Sequence, residues 1–164
     1  RNCHISDTAR AARFCRQAEQ ARYFCKDIHY PDVPLHTPTF DTTLLSAHIR
    51  PGHVMLIDCW ASWCGPCRAA IPAVKALYDK YDRDRFDVIS ISLDSKKEDW
   101  QKALEEEKMP WPQFIAGNRG YEQLTLRYNI NSIPNLILID DKGQVVCNTF
   151  SPEEISIELE EILR

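Results

Sequence analysis

Apolar positions in this chain fall into short runs whose spacing alternates between helical and extended. Residues 7 to 27 carry Ala11, Phe14, Cys15, Ala18, Ala21 and Cys25 at helical spacing among Arg and Gln, the pattern of an amphipathic helix. Pro31, Pro34 and Pro38 then exclude a helix and read as an extended linker. The expected organisation is a helical segment and linker over 1–30, then one domain over 31–164.

Val54 to Trp60 is apolar throughout except at Asp58, as in a strand buried on both faces, so a buried carboxylate is implied. After Gly65 and Pro66, the residues Cys67, Ala70, Ile71, Val74, Leu77, Tyr78 and Tyr81 recur with helical period and predict a helix of about four turns, kinked at Pro72. Phe86 to Leu93 alternates as a second strand. Ser95 with Glu98 forms a capping box for a polar helix to about Lys108, whose Glu105 to Glu107 run reads as a solvated face. Trp111 to Ile115 predicts a short strand, Tyr121, Leu124 and Tyr128 a short helix, and Asn135 to Ile139 an apolar strand. Asp140-Asp141-Lys142-Gly143 is a hairpin turn into Val145 to Phe150. Ser151-Pro152-Glu153-Glu154 opens a closing helix with Ile155, Leu159, Ile162 and Leu163 as its buried stripe. The order β-α-β, an inserted helical region, then β-β-α describes an α/β domain.

Composition narrows the function classes. The 164 residues are 44% hydrophobic and 27% charged, as in an ordinary globular protein, and the longest apolar runs are too short to cross a bilayer. A net charge of −4, with no basic cluster beyond pairs such as Lys96-Lys97, lacks the footprint of nucleic-acid binding. Seven cysteines cannot all pair within one molecule. The chain begins at Arg1 without a charged-then-apolar leader, which reads as a mature product or an excised fragment.

Chemistry concentrates at Trp63-Cys64-Gly65-Pro66-Cys67, where a buried strand ends and a helix begins. Cys64 is expected at the helix N-terminus, where free backbone N–H groups and the positive dipole end lower a thiol pKa from about 8.5 toward about 7 or below. One turn on, Cys67 is within reach of a disulfide, which gives a nucleophile and a resolving thiol. The competing reading, half of a zinc site, needs two further ligands, and none stands at suitable spacing. No metal and no cofactor are therefore expected. Cys59 and Cys147 read as small buried hydrophobes. Cys15 and Cys25 are ten helical residues, about 15 Å, apart, so they cannot bond to each other within one helix.

Asp58-Cys59-Trp60-Ala61-Ser62-Trp63-Cys64-Gly65-Pro66-Cys67-Arg68, followed by Pro72 and by Ile133-Pro134, resembles the thioredoxin superfamily. The insertion between Asp94 and Pro134, with Ile139-Asp140-Asp141-Lys142-Gly143, is similar to its TlpA/ResA group of extracytoplasmic thiol-disulfide oxidoreductases. The resemblance covers roughly residues 35 to 164. It implies a thioredoxin-like mixed sheet flanked by helices, with an inserted helix-strand region before a cis-Pro loop. It also implies Asp58 at the buried-acid position, Pro72 at the helix kink and a cis bond at Pro134. Three departures stand out: Ala70 where the group often has Glu, Cys59 where an aromatic is usual, and Thr39 to Gly52, which matches the opening hairpin poorly.

The expected activity is reduction of protein disulfides, with no cofactor. Cys64 attacks, Cys67 resolves the mixed disulfide, and Asp58 takes the proton of Cys67. Trp63, Gly65, Pro66, Ile133 and Pro134 would meet the substrate, Ile133 and Pro134 through backbone hydrogen bonds, while Trp60 is core. Partners would be protein thiols and disulfides and an upstream thiol reductant, with a periplasmic or cell-envelope location favoured over the cytoplasm. A thiol peroxidase on the same fold would need a Pro-x-x-x-Thr-x-x-Cys setting, which does not occur. A non-catalytic interaction domain is the other alternative.

Overall fold

The computed structural model describes residues 28–164. The helix expected over 7–27, with Cys3, Cys15 and Cys25, lies outside the described residues. Eight strands form one mixed sheet: β1 (Ile28–His29), β2 (Pro34–His36), β3 (Thr42–Leu44), β4 (Val54–Trp60), β5 (Phe86–Ser92), β6 (Gln113–Ile115), β7 (Asn135–Ile139) and β8 (Gln144–Thr149). Their order across the sheet is β1-β8-β7-β4-β5-β6-β2-β3. Among the described residues four α-helices accompany them, α1 (Gly65–Lys80), α2 (Lys97–Glu107), α3 (Gly117–Tyr128) and α4 (Pro152–Ile162), with a short 3-10 helix at Leu45–His48.

The central strand is β4, parallel to β5 and antiparallel to β7, and all seven of its residues are buried. Alternation along the strand sends Val54 and Leu56 into a cluster with Val74 and Leu77 of α1 and Ile155 and Leu159 of α4. Met55, Ile57 and Cys59 point to the opposite face, where Leu124 and Tyr128 of α3 cover them. The two-sided burial expected from the continuous apolar run is therefore produced by helices on both faces.

Several local expectations need correction. The linker region Pro31 to Pro38 contains β2, which pairs with β3 as a hairpin and touches β6 only at His36, opposite Ile115. Pro34 starts that strand at the end β6 does not reach, so its missing N–H interrupts no ladder there. An opening hairpin is thus present although Thr39 to Gly52 does not advertise one: its tip residue, Phe40, has φ +67°, a conformation usually signalled by Gly or Asn. The Phe40 ring stands edge-on to Trp100, 6.3 Å between centroids, with Lys97 Nζ 3.5 Å from its own centroid. Among the described residues the sheet takes in Ile28, ahead of the 30/31 boundary, because β1 pairs with β8.

Three more details differ. β5 is buried everywhere except Asp87, rather than alternating, because both its faces are packed, Ile89 and Ile91 in one core cluster and Phe86 and Val88 in the other; Asp87 holds Arg50 through two hydrogen bonds. The Ser95–Glu98 capping box does not form: α2 starts after Lys96 with no side-chain cap, leaving Glu98 and Asp99 in the first turn to complement the helix dipole. In α4, Ser151 does cap, accepting from Glu154 N–H, whereas Ile162 and Leu163 are only half-buried.

Gly120 is the point of closest approach between α3 and the hairpin. A Cβ there would lie 2.5 Å from the Pro34 carbonyl oxygen. Gly120→Ala is therefore expected to destabilise the protein by about 1–3 kcal/mol despite the better helix propensity of Ala. Thermal unfolding checks this, and an unchanged midpoint would mean that α3 can step away from β2.

Candidate active site

The end of β4 and the start of α1 form the site. Leu93 N–H bonds to the Trp60 carbonyl at 2.8 Å, which fixes where the strand stops, and Cys64 N–H then turns back to the Ala61 carbonyl at 3.1 Å. Cys64 is the N-cap of α1, and its Sγ accepts from Cys67 N–H at 3.2 Å. A cap position with free N–H groups is the setting expected for a stabilised thiolate. The structure holds the oxidised pair: Cys64 and Cys67 are joined as a disulfide, with Cα atoms 5.2 Å apart. In that state both sulfurs are nearly covered, Cys64 at 5% and Cys67 at 2% exposure, while Gly65 and Pro66 between them face solvent.

Across from the disulfide lies the Ile133–Pro134 loop, whose peptide bond is cis. The Ile133 carbonyl oxygen is 3.8 Å from Cys64 Sγ. Beside it opens a groove of about 470 Å³ lined by Trp63, Leu93, Ser95, Tyr121, Ile130, Asn131, Ser132 and Ile133, none of them charged. Trp63 is 70% exposed on its rim, whereas Trp60 is fully buried in the core. The sequence-derived residues Trp63, Cys64, Gly65, Pro66, Cys67, Ile133 and Pro134 thus meet at one end of the sheet.

Asp58 lies beneath them. It shares the β4 face of Leu56, which packs under Val74 and Leu77, and of Trp60, which packs with Cys67 and Ile71, so it points to the underside of α1. Its carboxylate accepts from Ser90 Oγ at 2.9 Å, and Ser90 Oγ in turn accepts from Trp111 Nε1 at 2.8 Å. Burial pushes the Asp58 pKa up to about 7, with the Ser90 hydrogen bond acting weakly in the other direction. Cys59, next in the strand but on the other face, has its thiol pushed up by burial and by the neighbouring Asp58, and Cys147 on β8 is buried as well.

Sequence reading missed four partners of this site. Ser90 was visible as a polar residue in an apolar strand, and register now sets it opposite Asp58. Asp94 is 5% exposed and accepts from Ser62 N–H at 2.9 Å, from Ser62 Oγ at 2.6 Å and from Ser92 Oγ at 2.6 Å. The Glu105 to Glu107 run is not simply a solvated face. Glu106 and Glu107 both hold Arg68, the residue after Cys67, at 2.6 and 2.5 Å, because α2 lies alongside the start of α1. Among the described residues no group of His, Cys, Asp or Glu side chains converges as a metal site, and no helix is long and apolar enough to cross a membrane.

The thioredoxin-like family profile matches residues 52–145. Thiol-disulfide oxidoreductase ResA of Geobacillus kaustophilus is 26% identical over 133 residues, 76% of this chain and 75% of that protein. Sporulation thiol-disulfide oxidoreductase A of Bacillus subtilis is 24% identical over 104 residues, 62% of this chain and 61% of that one. The crystal structure of the thioredoxin domain of a Bacteroides vulgatus thiol-disulfide oxidoreductase superposes with a TM-score of 0.76 at 24% identity, covering 85% of this chain and 99% of that domain. Together with a dithiol turn built on a buried strand, these matches carry the assignment: the chain belongs to the thioredoxin-like family and is similar to its ResA-type thiol-disulfide oxidoreductases.

Proposed function

We propose that the protein reduces disulfides in other proteins through the Cys64–Cys67 dithiol. The observation that carries this reading is the placement of Cys64 Sγ at the N-cap of α1, bonded to Cys67 and bordered by an uncharged groove. In the reduced protein the Cys64 thiolate attacks one sulfur of a substrate disulfide. A Cys64–substrate bond forms and the other substrate sulfur leaves as a thiolate. Cys67 passes its proton to the Asp58 carboxylate and attacks Cys64 Sγ, so the second substrate sulfur departs and the Cys64–Cys67 disulfide is left behind. Two electrons have moved from protein to substrate, and an upstream dithiol returns them.

The groove favours a polypeptide segment. Trp63, Leu93, Tyr121 and Ile133 supply apolar contact area, and backbone groups at Ile133 and Pro134 can pair with an extended chain, a short form of strand addition. No lining side chain offers a counter-charge to a small anionic disulfide. The ResA-like assignment supports an extracytoplasmic location, in the periplasm or cell envelope.

The test is reduction of insulin with dithiothreitol as electron source, followed by turbidity. Acceleration that disappears in Cys64→Ala is expected. Equal acceleration without Cys64 overturns the reading, and so does its absence in the unaltered protein, in which case peroxide consumption distinguishes a peroxidase from a non-catalytic domain.

A further inference from the structure

The residue two positions before the attacking cysteine is held from both sides by charged groups. On one side, the Asp94 carboxylate takes the N–H and the hydroxyl of Ser62 together, and is itself braced by Ser92 Oγ, whose oxygen also accepts from Asp94 N–H at 3.0 Å. On the other side, Arg68 Nη1 donates to the Ser62 carbonyl at 3.4 Å, while its Nε and Nη2 are taken by Glu107 and Glu106. A third tie, Lys75 Nζ to the Glu107 carbonyl at 2.6 Å, fastens the end of α2 to α1 about one turn beyond Pro72. Both anchors reach Ser62 from the segment that follows β5: Asp94 directly, and the carboxylates of α2 through Arg68.

We infer that this inserted segment positions the dithiol loop, with Asp94 and the Glu106–Glu107–Arg68 clamp fixing Ser62 and, through it, the placement of Cys64 relative to Cys67. The inference rests on the dithiol being the working group, and adds to it a set of positioning residues that touch neither substrate nor sulfur.

The physical argument is one of geometry and charge acting together. Carboxylate hydrogen bonds to a backbone N–H are among the stronger ones, and Asp94 makes its contacts while almost fully buried, where an unpaired donor or charge is costly. Ser62 therefore cannot shift without breaking two charge-assisted bonds at once. A held loop keeps the two sulfurs close, and closeness raises the effective concentration of one thiol at the other, which stabilises the ring disulfide. Charge works in the same direction. Arg68 is neutralised by two carboxylates, so the site gains no free cation to stabilise a thiolate and with it the reduced form. Releasing either anchor should leave the couple more oxidising.

The reduction potential of Cys64–Cys67, measured by equilibration with glutathione buffers, reads this directly and does so whether or not the protein reduces any substrate. The double variant Glu106→Gln/Glu107→Gln removes charge from partly exposed positions and leaves the core untouched. It is expected to shift the equilibrium constant about three- to tenfold toward the dithiol, up to about 30 mV. Asp94→Asn is expected to shift it in the same sense, and its effect should be non-additive with that of Ser62→Ala, because both act on one contact. Lys80→Gln, which breaks the remote Lys80–Glu160 pair, controls for a general loss of stability and should leave the potential unchanged. If Asp94→Asn does not fold, the glutamate pair decides alone. A potential unchanged in the folded glutamate variant, or an equal shift in Lys80→Gln, overturns the inference. Failure of insulin reduction with these shifts intact would count against the proposed function only.

Discussion

Cys67→Ser should turn the protein into a trap for its substrates. The first attack needs only Cys64, which remains, but the intramolecular thiol that would release the substrate is gone. Effective molarities of well-placed intramolecular groups reach about 10⁵–10⁸ M, so even a small fraction of that advantage makes release by a millimolar external thiol on the order of 10³-fold slower. Mixed disulfides should accumulate on non-reducing gels, and peptide mapping should place the bond at Cys64. Adducts on Cys59 or Cys147 would overturn the assignment. Neither is expected, because both thiols are buried and burial pushes the Cys59 thiol far from its reactive form. Prompt release from Cys67→Ser would show that another group resolves the intermediate.

Asp58→Asn should slow that same release by roughly 10- to 10⁴-fold near neutral pH, bounded above by what general-base catalysis usually supplies. An acid with a pKa of about 7 is half ionised at neutrality, so it can both accept the Cys67 proton and lose it again. In the unaltered protein the rate of the resolving step should climb as pH rises through about 7, and in Asp58→Asn that climb should vanish. Ala70, which stands where the related group often has Glu, leaves no carboxylate at that position on α1 to compensate.

Stability should move the opposite way. Because the folded-state pKa of Asp58 is raised, the folded protein holds a proton that the unfolded chain has already lost between about pH 4 and pH 7, so the group contributes nothing below pH 4 and a growing penalty up to pH 7. The full penalty is on the order of 4 kcal/mol. Asp58→Asn should therefore gain stability relative to the parent across that window and hold the gain above it, as denaturant titrations at pH 4 and pH 8 would show. Unchanged single-turnover rates between pH 6 and 8 would remove Asp58 from the mechanism.

The parts of this protein legible in its sequence are those whose cause is local. Val54 to Trp60 announces a central strand because a seven-residue run with six apolar positions and one acid, bounded by turns, has the length of a strand buried on both faces, and Ser151-Pro152 announces a helix start because the cap and the fixed proline torsion act within one turn. Cys64 and Cys67 are in the same class: four consecutive residues define their chemistry. What escaped reading depends on partners distant in the chain. β1 is two residues long and exists as a strand only through its pairing with β8. Glu106 and Glu107 look like any charged helix surface until Arg68, 38 and 39 residues earlier, is brought beside them. Asp94 and Ser62 are 32 positions apart, and each alone is an ordinary polar residue at the end of a strand. The β2–β3 hairpin was obscured for a different reason, since an aromatic residue occupies its left-handed tip position.

The pairing of β1 also decides which way the domain faces. β4 runs from the turn at Gly52 to Trp60, and β1 joins β8 beside Gly143, whose hairpin meets Gly52 through the Asp141 carbonyl. The far end of α4 comes to the same place, with Arg85 donating to the Leu163 carbonyl at 3.1 Å. Ile28, the first of the described residues, and Leu163 therefore share one pole, and the dithiol occupies the other, roughly a strand length of 20 Å or more away. Fastened to a bead, a sensor surface or a fusion partner through Arg164, the domain would present Trp63 and the two cysteines outward, free to meet a large protein without colliding with its own support.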